Sequence, residues 1–115
     1  MDAKVGLSDL EATRLCAEAM GYTAREWTHM VPVPSPTSIA VYNREWPHPF
    51  GFDPLTDDAQ AMALVKRFNM GIGQDSEGRW SAVMQKPTYC QSFHHATLNA
   101  AIVHCVAALQ RERGK

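Results

Sequence analysis

At 115 residues and 45% hydrophobic content, the chain has the size of one domain, with enough apolar material to bury a core and no room for a second. Eleven basic residues against twelve acidic ones give a net charge of −1, so no global basic field draws a phosphate backbone and nucleic acid is an unfavoured partner. Three cysteines, Cys16, Cys90 and Cys105, are an odd count without paired spacing, the usage of a reducing cytoplasm; with no long apolar run near the start and no window of about 18 apolar residues, neither a leader nor a membrane span is expected.

Ser8-Asp9-Leu10-Glu11 has the Ser-x-x-Glu form that satisfies orphan N–H groups at a helix start. Ala12, Leu15, Cys16 and Ala19 recur at i, i+3, i+4 and i+7, and Gly21 before Tyr22 offers a left-handed stop, so a helix is predicted over 9–20. From 23 to 37 the VPVPSP run removes ladder donors and predicts a loop or an edge. SIAVY, 38–42, is short, alternating and β-rich, and reads as the first strand; NREWPHPFG, 43–51, reads as a second proline-and-aromatic loop.

The stretch 50–70 is the one around which the rest is organised. Asp53-Pro54 and Thr56-Asp57-Asp58 are overlapping helix-start signals, followed by an apolar stripe of Ala61, Leu64, Val65 and Phe68 that is expected to lie on the sheet. Lys66 and Arg67 close it where the macrodipole favours cations. Met70 to Gly73 predicts a short strand weakened by glycine, QDSEGR a turn, and Trp80 to Met84 its hairpin partner with Trp80, Ala82 and Met84 on one face. Tyr89 to His94 reads as a strand or an extended lead-in, with Cys90, Ser92 and His94 opposite Tyr89, Gln91 and Phe93. Thr97 then caps a last helix striped by Leu98, Ala101, Ile102, Cys105 and Leu109 and ending in Arg111, Arg113 and Lys115.

These elements predict one α+β domain over 1–115 with short tails: three helices on a small, mostly antiparallel sheet of three to four strands, in the order α-β-α-β-β-(β)-α. No sequence repeat is visible.

Two clusters carry residue types suited to chemistry. Asp53, Asp57 and Asp58 supply oxygens that a hard cation takes, but acids at a helix start are also what capping asks for, and no Asp-x-Asp-x-Asp-Gly loop surrounds them. Cys90, His94 and His95 supply a thiol and two imidazoles, which His29 or His48 would have to complete as a zinc set. No Cys-x-x-Cys, His-x-x-x-His or nucleophile elbow is present, and His104 lies off the face of His95. The reading of these residues is therefore non-enzymatic, with no metal and no cofactor; a small metal-dependent or hydrolytic enzyme built on either cluster is the alternative. The stronger feature is aromatic. Trp46, His48, Phe50 and Phe52, with Trp27 and Arg44, have the composition of a binding hot spot and are the predicted partner-binding residues, the alternative being a loop folded back over the sheet with Trp46 and Phe50 completing the core.

FDPLTDDAQAMALVKRFNM resembles the central segment of the phage ABA sandwich domain family, whose members show an Asn/Asp-Pro-Leu-Thr-Asp-Asp turn entering an Ala/Leu-rich helix. The segment from His95-Ala96-Thr97 to Leu109 resembles that family's C-terminal helix. The resemblance implies helices on both faces of a sheet, a phage or prophage origin and residence in the host cytoplasm. It transfers no activity and no catalytic residues. Joined to the aromatic loop, it predicts an accessory protein that binds a host or phage protein, a host-defence component being the partner class that a phage origin suggests.

Overall fold

The computed structural model describes residues 8–25, 37–43, 46–85 and 89–113. Among the described residues, three helices, α1 (Asp9–Ala19), α2 (Asp58–Phe68) and α3 (Leu98–Arg113), are interspersed with six strands, β1 (Thr23–Arg25), β2 (Ile39–Asn43), β3 (Trp46–Phe52), β4 (Gly71–Gln74), β5 (Trp80–Met84) and β6 (Cys90–His95). The class is α+β. The strands form two antiparallel sheets, ordered β1-β2-β3 and β4-β5-β6. Each sheet is a three-stranded meander followed by a helix, so the topology repeats although the sequence does not.

The helix ends follow from local chemistry. Ser8 accepts from the Glu11 N–H at 3.1 Å, Asp57 from Gln60 at 3.1 Å, and Thr97 from Ala100 at 3.1 Å, each satisfying an orphan donor. Gly21 at φ 83° and Asn69 at φ 51° turn the chain out of α1 and α2, and the Tyr22 and Met70 N–H groups close back on Ala17 and Val65. Pro54, expected in a first helical turn, instead sits in the turn that precedes α2.

The organising element is α3, not α2. Its buried residues form two stripes, Ala101, Ile102, Cys105 and Leu109 on one side and Val103, Val106 and Ala107 on another, as a helix apolar on most of its circumference must when it is covered by several neighbours. It packs against α1, α2, β5 and β6, whereas α2 rests chiefly on α3. Leu64 and Phe68 therefore enter a core centred on a helix, a correction to the expectation that they lie on a sheet. Small residues permit close approach between α1 and α3: Ala12 and Cys16 are fully buried, and the Cys16 thiol donates to the Val103 carbonyl at 3.2 Å. From the other side the Ser92 hydroxyl donates to the Ala101 carbonyl at 2.6 Å.

The segment read as a loop or an edge begins with an edge strand, and the second predicted loop contains a strand. Thr23 to Arg25 pairs with β2, and the proline-and-aromatic segment is β3 from Trp46 onward. Pro47 and Pro49 are tolerated because β3 is the edge of its sheet, where a missing donor breaks no second ladder.

Candidate functional site

The predicted aromatic site divides along β3. Its C-terminal half is regular, with Val41 opposite Phe50 and Ile39 opposite Phe52. Phe52 is 2% exposed and belongs to the core, and the rings of Phe50 and Phe52 meet Tyr22 edge-on at 5.4 and 5.6 Å, a geometry that stabilises the fold by about 0.5–1.5 kcal/mol per pair. Phe52 is thus corrected from a partner contact to a core residue, because it faces Ile39 across the ladder and packs edge-on against Tyr22. Phe50 is half-buried in the same cluster. In the N-terminal half the register breaks. Asn43 faces Trp46 while Val41 faces Phe50, so two steps along β2 oppose four along β3 and the Trp-Pro-His-Pro backbone bulges. The side chains of Trp46 and His48, and all of Trp27 and Arg44, lie outside the described residues.

The acids beside β3 are structural. Asp53 is 6% exposed, and its carboxylate accepts from the Thr37 hydroxyl at 2.8 Å and the Thr56 hydroxyl at 2.7 Å. Asp57 caps α2, and Asp58 accepts from the Asn99 amide at 2.8 Å, tying the starts of α2 and α3. Gln60 joins α2 to β3: its Oε1 accepts from the Asp53 N–H at 2.6 Å and its Nε2 donates to the Gly51 carbonyl at 2.9 Å. One side-chain amide thereby takes the place of a neighbouring peptide where the strand ends. Nothing in the sequence pattern marked Gln60, since its role depends on the turn that brings it back over Gly51.

The Cys90, His94 and His95 cluster is pulled apart. β6 carries the chain away from Cys90 before reaching His94 and His95, and at about 3.3 Å per extended residue the thiol and the imidazoles are separated by on the order of 10 Å or more along the strand. The Cys90 thiol is pushed up by burial and by the charge of Glu112, and burial together with Cys90 pushes Cys105 up to about 12, the direction that disfavours a thiolate. Among the described residues, no three His, Cys, Asp or Glu side chains converge to hold a metal ion.

A different histidine pair is assembled instead. In β6, Ala82 faces Ser92 but Trp80 faces His95, so one extra residue is inserted and His94 takes φ 63°. That bulge reverses the alternation: His95 rather than His94 continues the face of Ser92 toward α3. Its ring stacks on His104 with centroids 5.2 Å apart and planes 17° from parallel, and His104 Nε2 lies 3.1 Å from Asp9 Oδ1 on α1. Sequence spacing placed His104 off the face of His95 because it allowed for neither the bulge nor a helix folding back over its own strand.

Burial, followed by the positive charge of a protonated His104, holds His95 below its usual 6.5; Asp9 opposes this, and His94, which is 3.7 Å from Asp75, adds to it. A folded-state value below the unfolded one means that the unfolded chain binds more protons in that window, so stability rises with pH up to about 6.5 and falls on acidification below it. Urea titrations at a series of pH values should show this fall, and His95→Gln should flatten it. A slope unchanged by His95→Gln would assign the dependence to other groups.

Compared with models of known protein families, with characterised proteins and with solved structures, the chain matches none.

Proposed function

We propose that the chain is a non-enzymatic phage or prophage accessory protein that binds a host or phage protein through the bulged N-terminal half of β3. The observation that carries this reading is the register break between Asn43–Trp46 and Val41–Phe50. A bulge at a sheet edge is a device for re-aiming side chains, and bulges concentrate beside functional sites. Here it falls on Trp-Pro-His-Pro, where Trp46 is of the residue type that dominates binding hot spots. Pro47 and Pro49 present no N–H to an incoming strand, which favours recognition by side chains over simple strand addition. The other half of β3 is fixed by Phe50, Phe52 and Gln60, so the bulge has a rigid base. The phage origin rests on the resemblance of 52–70 and 95–109, and a host-defence component is the partner that this origin suggests.

Trp46→Ala should leave the melting temperature close to wild type while abolishing capture of a specific protein from lysate of the natural host. A large loss of thermal stability with capture unchanged would sink the assignment.

A further inference from the structure

Beyond the β3 reading, the structure brings together two arginines that the sequence keeps 46 positions apart, Arg67 at the end of α2 and Arg113 at the end of α3. Both line an open cleft of about 660 Å³, with Asn69 and Gln85 supplying side-chain amides and Phe68 and Val83 an apolar wall. No Asp or Glu among the described residues lines the cleft. Among the described residues neither guanidinium has a carboxylate at ion-pair distance, although Asp75 and Glu77 both engage Arg79 elsewhere. Glu112, on the last turn of α3, is not in the lining and sits near the Cys90 thiol.

We propose that this cleft is a binding site for a small organic phosphate, a dianionic phosphate group carried on a flat apolar moiety. Two guanidiniums bring a charge of +2 to one concave surface, and planar N–H forks match the phosphate geometry. Against them stand the C-terminal ends of α1, α2 and α3, each equivalent to about −0.5 charge before capping. Among the described groups the balance is positive but small, so a dianion is attracted about twice as strongly as a monoanion, and the attraction weakens with salt. Volume decides between inorganic phosphate and a larger ligand. The cleft falls within the range of about 300–1,000 Å³ typical of small-molecule sites, and the half-buried Val83, with the exposed edge of the core residue Phe68, gives an organic moiety an apolar contact that a bare ion does not use. Arg67, whose guanidinium carbon lies 6.0 Å from the Phe68 ring centroid, already associates cation and aromatic on this wall.

Phenyl phosphate titrated into isotope-labelled protein, with amide resonances as readout, tests the site. Saturable shifts are expected at Asn69, Gly71, Val83 and Gln85, weaker binding with inorganic phosphate, and none with phenol. Arg67→Gln and Arg113→Gln should each weaken phenyl phosphate roughly tenfold, the loss of one charge-assisted hydrogen bond. Arg67→Lys should retain part of the affinity, since it keeps the charge and loses the fork. Both arginines are exposed, and unchanged amide shifts in the core of α3 confirm that the variants stay folded. The proposal is overturned if wild-type protein shows no saturable shift at millimolar phenyl phosphate, if phenol binds as well, or if Arg67→Gln with Arg113→Gln binds as wild type does.

Discussion

Replacing Ile102 by Ala is expected to cost about 2–5 kcal/mol of unfolding free energy, the span for a large aliphatic group removed from a close-packed site. Ile102 is fully buried on α3, the helix against which α1, α2, β5 and β6 all pack. Neighbours on several elements must move together to fill the space, and so collapse into it is limited. Met62→Ala on the outer face of α2, where the side chain is 41% exposed, should change stability by no more than about 0.5 kcal/mol. Urea unfolding of both variants checks the pair. A loss below about 1 kcal/mol for Ile102→Ala would mean that α3 is not the centre of the core.

Gln60→Ala is expected to cost about 2–3 kcal/mol, because it orphans the Asp53 N–H and the Gly51 carbonyl together and each such group costs about 1–3 kcal/mol when buried. The lower end of the sum applies because the site is only partly buried and water can enter. Gln60→Glu separates the two bonds: its carboxylate still accepts from Asp53 but places an oxygen against the Gly51 carbonyl. Thermal melts should rank wild type above Gln60→Glu and both above a variant in which Asp53→Ala also removes the acceptor of Thr37 and Thr56. Equal stability of Gln60→Ala and wild type would contradict the bridging role of the amide.

The helices were legible in the sequence because their signals are local. The stripe of Ala12, Cys16 and Ala19, the Asp57 and Thr97 caps and the Gly21 stop depend on residues within a turn or two of each other, and each is observed. The β4-β5 hairpin was legible for the same reason, with Asp75 bonding the N–H groups of Glu77 and Arg79 across its turn. What escaped depended on partners distant along the chain. β3 was read as a loop because Pro47 and Pro49 argue against a strand until β3 is known to pair on only one side, with β2. Val103, Val106 and Ala107 made α3 apolar on a second face, but one stripe suffices to predict a helix and a second predicts nothing about how many neighbours cover it.

The same distinction governs the candidate sites. Asp57 was legible as the cap of α2, since capping is local, whereas Asp53 lies in the turn before the helix and accepts from the Thr37 and Thr56 hydroxyls, and Asp58 reaches across to Asn99. The His95–His104 stack required a bulge at His94, and the placing of Arg67 and Arg113 on one cleft required α2 to pack on α3. Neither pairing leaves a mark in residue spacing. For β3 the residue types pointed to Trp46 through Phe52 as a single site, and the register divides them: Phe52 is held in the core, and the backbone of Trp46 through Pro49 bulges from the ladder.

Recognition by the bulged half of β3 is tested most directly by hydrogen exchange of the chain alone and bound to the partner that it captures. The expected result is slowed exchange within 46–52 and the paired residues of β2 on binding, with the Ala101–Leu109 amides of α3 already slow and unchanged. New protection confined to β4, α2 or the Arg67–Arg113 cleft, with 46–52 exchanging as in the free chain, would contradict it.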